Sequence, residues 1–193
     1  MPKIVDRDRY RKELLDRSFD LFAEKGYGSI TMRQIAQGLG VSTGTLYHYF
    51  PSKEALFVQL VEELTARDIS TFLAEADWVQ GLSERIAALV NFVAKYEDYF
   101  SKQTILFLDF YQQQDRTKIE NNEILARSWG QTKQAIAGYL QIPNMTIVDF
   151  ILTFLNGLIV GRLCEGDRLS FEEQGAILKE MLANYLDKSL VAV

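Results

Sequence analysis

The stretch STGTLYHYFPSKEAL, Ser42–Leu56, lies between segments of helical apolar spacing, yet its first half is a poor helix on propensity. Thr43, Gly44 and Thr45 follow one another, then Tyr47, His48 and Tyr49. Glycine costs about 1 kcal/mol in a helix interior, and β-branched and aromatic residues cost tenths each. The one histidine of the chain is His48. On a helical wheel Leu46 and Phe50, four apart, point inward, and Gly44 and His48 point directly away. Thr43 and Tyr47 lie on one flank, Thr45 and Tyr49 on the other. The outward face therefore begins small and ends aromatic and polar. Small residues let a helix N-terminus approach base edges, where threonine can donate, accept or offer a methyl group to thymine. Tyrosine hydroxyls and a histidine suit phosphate oxygens, which take half or more of protein–DNA hydrogen bonds. Gly44 also has a plainer reading, as a packing glycine against the first helix, and His48 and Tyr49 as ordinary solvated residues.

The flanking residues give this short helix a partner. Thr31 opens a helix and Gln34, three residues on, completes a capping box. Ile35, Ala36 and Leu39 face inward, Gly40 stops the helix, Val41 fills the turn and Ser42 caps the next one. Two short helices joined by a tight glycine-containing turn form the reading unit of a helix-turn-helix, with the second helix in the major groove. Pro51 then breaks the chain and Ser52 caps a fourth helix. Lys53 falls at its first position, where the macrodipole disfavours a cation by a few tenths of a kcal/mol. A phosphate there would meet both the lysine and the free amides. Thr31 and Arg33 are placed to do the same on the opposite side of the groove.

Working outward, helical spacing recurs throughout and no segment alternates convincingly at strand period. The fold class is all-α, with about nine helices. The first spans about Asp6 to Lys25, with Leu14, Leu15, Ser18, Phe19, Leu21 and Phe22 as its buried stripe and Gly26 ending it. The fourth runs from Ser52 to about Asp77. A fifth runs from Ser83 to about Asp98, a sixth from Ser101 to Gln114, and a seventh from about Lys118 to Leu140. An eighth covers about Thr146 to Glu165. The last opens on a capping box, Ser170 with Glu173, and ends near Lys188. The run IVDFILTFLNGLIVGRLC, Ile147–Cys164, approaches the roughly 20 apolar residues of a membrane span, but carries Asp149, Asn156 and Arg162. It reads as a buried helix, with no membrane partner.

The chain has 193 residues, 48% hydrophobic and 24% charged, with a net charge of −5. Residues 1–60 hold 9 basic and 7 acidic side chains against 12 and 19 in the rest, so the N-terminal third is the half suited to a polyanion. The single cysteine, Cys164, excludes an internal disulfide framework and Cys-rich metal sites. No apolar secretory core appears in MPKIVDRDRY, which points to the cytoplasm. One His and one Cys far apart, no metal-ligand spacing and no phosphate-cradling glycine motif argue against an enzyme and against a cofactor.

GYGSITMRQIAQGLGVSTGTLYHYFPSKEALF, Gly26–Phe57, resembles the N-terminal signature of the TetR family of bacterial repressors. The resemblance covers about the first 57 residues. It implies that Thr43 and Gly44 approach bases, that Arg33 lies near the groove edge, and that Tyr47, His48, Tyr49 and Lys53 meet phosphates. Thr31, Ser42 and Thr45 are implied as auxiliary phosphate contacts. The implied division is a DNA-binding domain, 1–56, and a ligand-binding and dimerisation domain, 57–193. The implied function is a repressor that binds a palindromic operator as a homodimer and is released by a small, largely apolar effector. An activator or DNA organiser that takes no ligand is the alternative within the helix-turn-helix class.

The remainder is rich in aromatics, most of them suited to a core. The resemblance implies that some line a ligand cavity, for which Phe92, Tyr96, Phe107, Phe110 and Trp129 are candidates. Asp109, inside the apolar TILFLDFY, either faces solvent, pairs with an arginine, or serves as a pocket acid. Gly157 and Gly161, four apart, allow close helix approach. The last helix has an apolar face wider than one domain needs, including Leu178, Met181, Leu182 and Tyr185. Together these residues predict a homodimer interface.

Overall fold

The computed structural model describes residues 6–76 and 79–191, with side chains through Leu186. The described residues are helical: α1 (Arg7–Lys25), α2 (Met32–Leu39), α3 (Thr43–Tyr49), α4 (Lys53–Glu75), α5 (Leu82–Lys95), α6 (Glu97–Gln113), α7 (Arg116–Glu120), α8 (Glu123–Leu140), α9 (Met145–Glu165) and α10 (Phe171–Val191), with a 3₁₀ turn at Gly166–Arg168. The expected end of the fourth helix at Asp77, and the start of MPKIVDRDRY, lie outside the described residues. Contacts divide the chain into two compact units. One comprises the residues up to Asp68 with Ile105–Gly130, and the other Ile69–Thr104 with Gln131 onward.

In the first unit, Asp6 caps α1 by accepting from the amides of Asp8 and Arg9. The stripe expected of α1 is buried, with Leu14 and Phe22 fully so and Leu21 half-buried. Leu21 also bears on Gly38: a Cβ there would come within 2.6 Å of its Cδ2, so a larger residue would require the Leu21 side chain to shift. The heart of the unit is aromatic. Phe57 stacks on Phe110 at 4.3 Å between ring centroids, and Tyr27 meets them edge-on at 5.0 and 4.9 Å. Such geometry adds roughly 0.5–1.5 kcal/mol per pair beyond the buried area.

The seventh helix differs from expectation. It is divided into α7 and α8 at Asn121 and Asn122. Asp115 caps α7 through the Thr117 amide, and the Asn122 Oδ1 accepts from the amides of Ile124 and Leu125, both at 3.1 Å. Asparagine side chains compete with the backbone in this way and favour caps over helix interiors. The fifth helix also stops earlier, at Lys95, so that Glu97 and Asp98 fall in the first turn of α6, where negative charge complements the helix dipole.

The second unit packs α5, α9 and α10 around Ile86, Val90, Val148, Ile151 and Tyr139. At Gly175 an added Cβ would meet the Val90 Cγ1 at 3.0 Å, which marks where α10 lies closest to α5. Here two expectations are corrected. Leu178 and Leu182 are 1% and 4% exposed and belong to the core of their own unit, because α5 takes up the side of α10 on which they lie. The open side of α10 is Ile177, Met181 and Tyr185 instead. By length and composition α9 is apolar enough to cross a bilayer, but its charges have partners in the unit. Asp149 pairs with Lys133 at 2.7 Å. Arg162 makes a two-pronged pair with Glu97, at 2.7 and 2.8 Å, and a further one with Asp167. These carboxylates hold the guanidinium firmly charged.

The aromatic stack yields an expected outcome. Phe110→Ala should destabilise the protein by about 3–5 kcal/mol, as large-to-small changes at packed aromatic sites do. Equilibrium chemical denaturation checks it, and a loss below about 1 kcal/mol would mean that the stack does not organise the unit.

Candidate nucleic-acid interface

The turn and the recognition helix are built locally. Thr31 and Gln34 form the capping box, with the Gln34 Oε1 accepting from the Thr31 amide at 2.9 Å. Gly40 ends α2 in the left-handed conformation, φ 71° and ψ 29°, which costs glycine nothing. The Arg17 guanidinium reaches from α1 to the Leu39 carbonyl at 2.8 Å and ties off the same helix end. Ser42 caps α3 through the Thr45 amide at 2.9 Å, and its hydroxyl also meets the Thr45 hydroxyl at 2.8 Å.

Leu46 and Phe50 are both fully buried, as the helical wheel requires. The opposite face is open. A Cβ on Gly44 would meet nothing nearer than the Ser42 Oγ at 3.8 Å, so the packing reading of this glycine is excluded. Thr43 and Thr45 are half-buried beside it, and Tyr47 and His48 are exposed. Tyr49 is half-buried, edge-on to Tyr10 at 5.6 Å. Thr31 and Arg33 are exposed at the start of α2. These residues share one unit, and those of α3 share one seven-residue helix.

Lys53 is placed differently from the phosphate-facing position expected. Its ammonium donates to the carbonyls of Tyr27 and Ile30, at 2.6 and 2.9 Å, and lies 4.4 Å from the centroid of the Tyr27 ring. Burial pushes its pKa down, and the charge of Asp109 partly offsets this. Burial also pushes the Tyr27 phenol up to about 12, with Glu54 and Asp109 adding to the effect. Lys53 thus fastens the loop between α1 and α2 to the start of α4.

Arg7 was not foreseen. Its guanidinium lies 3.2 Å from the His48 Nε2, which sets a cation beside α3. The contact joins residues 41 apart in sequence, and no local pattern signals it.

The six ligand candidates are distributed over both units. Phe92 and Tyr96 belong to the second, where they pack together at 4.9 Å and the Tyr96 hydroxyl donates to Glu75. Phe107, Asp109, Phe110 and Trp129 belong to the first. Phe110 is core, Phe107 meets Phe57 edge-on, and the Trp129 indole N–H donates to the Tyr111 hydroxyl at 3.3 Å. Asp109, half-buried, accepts from the Gly28 amide at 3.0 Å.

Residues 14–60 match the family model described as bacterial regulatory proteins, tetR family, and this span holds α2, α3 and the turn between them. Over these residues the chain is similar to the TetR family. Among curated proteins it is similar to the HTH-type transcriptional regulator BetI of Rhizobium meliloti, 30% identical over 119 residues, which are 61% of this chain and 58% of the relative. The matched region therefore spans under two thirds of that relative's length. Among solved structures it shares the fold of a regulator from Saccharomonospora viridis in complex with choline, with a TM-score of 0.69 and 17% identity. That match covers 92% of this chain and 97% of the other. It also shares the fold of FadR from Bacillus subtilis in complex with stearoyl-CoA, with a TM-score of 0.65 and 16% identity over 89% and 96% of the two chains.

The clamp carries its own test. Lys53→Met removes charged hydrogen bonds to two carbonyls and should lower stability by about 1–3 kcal/mol. Amide hydrogen exchange should quicken at Tyr27–Ile30. Unchanged exchange in that loop would show that the lysine is dispensable there.

Proposed function

We propose that this protein is a cytoplasmic repressor that binds an inverted-repeat operator as a homodimer and is released by a small effector. Residues 1–56 serve DNA binding, and residues 57–193 serve dimerisation and effector binding. The observation that carries the reading is the open, small-residue face of α3, anchored from behind by the fully buried Leu46 and Phe50. Thr43 and Gly44 meet base edges. Thr31, Arg33, Ser42, Thr45, Tyr47, His48 and Tyr49 meet the backbone, and Arg7 joins them. Lys53 contributes mainly by positioning α4 and the preceding loop.

The dimer surface is the apolar side of α9 and α10 left open in the second unit. Phe150, Val160, Leu163, Ile177, Met181 and Tyr185 are each at least 40% exposed. Gly157 lies on the same side of α9, and a Cβ there would meet nothing within 4 Å. Gly161 is different: an added Cβ would strike the chain's own Leu169 at 2.5 Å, which gives it an internal packing role. Large apolar side chains left exposed in this number support an association site.

An effector role is supported by the complexes of the two fold relatives with choline and stearoyl-CoA. Two such different ligands on one fold mean that the fold does not choose the ligand. The helix α4 belongs to both units, and it is the element through which occupancy would alter the spacing of the recognition helices. A ligand acts only through its differential affinity for the two spacings, and operator DNA must weaken ligand binding by the same factor.

The deciding experiment is selection of bound fragments from genomic DNA, with sedimentation of the free protein. The selected site should be an inverted repeat with half-sites about 34–36 Å apart, or further if the DNA is distorted. A monomer at micromolar concentration, or a site without two-fold symmetry, contradicts the proposal. Met181→Asp should shift the sedimentation profile towards monomer without loss of helicity.

Base and backbone contacts separate by substitution. Thr43→Ala should change base preference at one symmetric pair of operator positions, with an effect of about 1–3 kcal/mol. Arg33→Ala should weaken binding to all sequences and reduce the salt slope by about one counterion per subunit. An Arg33→Ala variant with altered sequence preference and an unchanged salt slope would reverse the assignment.

A further inference from the structure

We propose that the second unit contains a binding site for a carboxylate-bearing molecule with an apolar tail, anchored on Arg85. A half-open cavity of about 410 Å³ lies between the turn that precedes α5, the turn that joins α8 to α9, and α10 near Tyr185. Its size falls within the range of about 300–1,000 Å³ that small-molecule sites occupy. Leu82, Leu140, Ile142 and Ile147 give it apolar walls.

Arg85 is the exception among these walls. It is only 9% exposed, an unusual burial for a guanidinium. Its Nε donates to the Val79 carbonyl at 3.1 Å. Among the described residues no carboxylate lies within ion-pair distance of it. The adjacent acid, Glu84, turns back over the start of its own helix, where its Oε2 lies 2.5 Å from the position a Cβ on Gly81 would take. A guanidinium offers five N–H donors, and the backbone carbonyl takes one. Burying a cation without a counter-ion is costly, and the cost is relieved when an anion pairs with it. A carboxylate does this best, because its two oxygens match the guanidinium fork.

The surroundings of Arg85 add to the same polarity. The cavity includes the first turn of α9, a 21-residue helix whose N-terminus carries partial positive charge. Asn144 caps that turn by accepting from the Thr146 amide at 3.0 Å. Gln141, also on the wall, adopts φ 58° and is the one non-glycine residue with positive φ among the described residues. This left-handed residue closes the C-terminus of α8, where the Ile142 amide donates to the Ala137 carbonyl at 3.1 Å. The cavity wall therefore combines a cation and a helix N-terminus with apolar side chains. An ammonium-bearing ligand would be repelled there. The site goes beyond the repressor proposal and stands whether or not its occupancy alters DNA binding.

The test is calorimetric titration of the full chain with decanoate and, separately, with decanol. Decanoate should bind at least tenfold more tightly, since the two probes share a tail and differ in the anion. Arg85→Gln should bring decanoate down to the level of decanol, while Arg85→Lys should retain part of the difference. Leu82→Trp, at a half-buried wall position, narrows the cavity and provides a second variant should Arg85→Gln fail to fold. It should weaken both probes. Equal binding of the two probes to the unaltered protein overturns the proposal. So does decanoate affinity left unchanged by every variant that folds.

Discussion

The shape of α3 depends on two buried side chains. The seven-residue helix α3 is too short and too poor in helix formers to hold its shape alone. Leu46 and Phe50 fix it by complete burial in the first unit. Because they lie four apart they occupy one stripe, and Gly44, Tyr47 and His48 on the far side remain exposed. Gly44 can then be a glycine for reasons of approach, and Thr43 and Thr45 can be small. The capping serine and the left-handed Gly40 set the ends, so that helix length comes from local hydrogen bonds and orientation from the two anchors.

The same economy governs the charges around this helix. Lys53 and Asp109 both look like ligand-seeking groups on a chain diagram, a cation at a helix start and an acid in an apolar run. In the folded protein each is bound to the same short loop. The ammonium of Lys53 holds the carbonyls of Tyr27 and Ile30, and the carboxylate of Asp109 accepts the amide of Gly28. A loop that lies between two helices leaves backbone donors and acceptors that must be satisfied. Here two charged side chains, one from α4 and one from α6, satisfy them with stronger bonds than neutral groups would make. The loop that sets the angle between α1 and α2 is thereby tied to helices distant in sequence.

Local signals account for what the sequence disclosed. Capping boxes, the glycine stop and the inward pair Leu46 and Phe50 depend on residues within four positions of each other, so the helix-turn-helix and the outward face of α3 were legible directly. The failures have one physical origin. Leu178 and Leu182 share a wide apolar face with Met181 and Tyr185, and periodicity cannot tell which part of such a face α5 will cover. Lys53, Asp109 and Arg7 are placed by partners 23 or more residues away, and nothing local marks them. The division of the seventh helix was open to reading, since Asn121 and Asn122 are adjacent cap-formers. Helical periodicity on both sides concealed it.

The two units use charge in opposite ways. In the first unit, cations are spread over exposed or half-exposed positions, where salt screens them and each adds a modest, interchangeable share of attraction. A surface of that kind tolerates the loss of any one cation. In the second unit two arginines differ in their partners. Arg162, half-buried, meets two carboxylates within its own unit, while Arg85, buried, meets a single backbone carbonyl. Enclosure strengthens each interaction and makes an unmatched one costly. The difference between those two arginines is what separates a structural charge from one that still has binding capacity to offer.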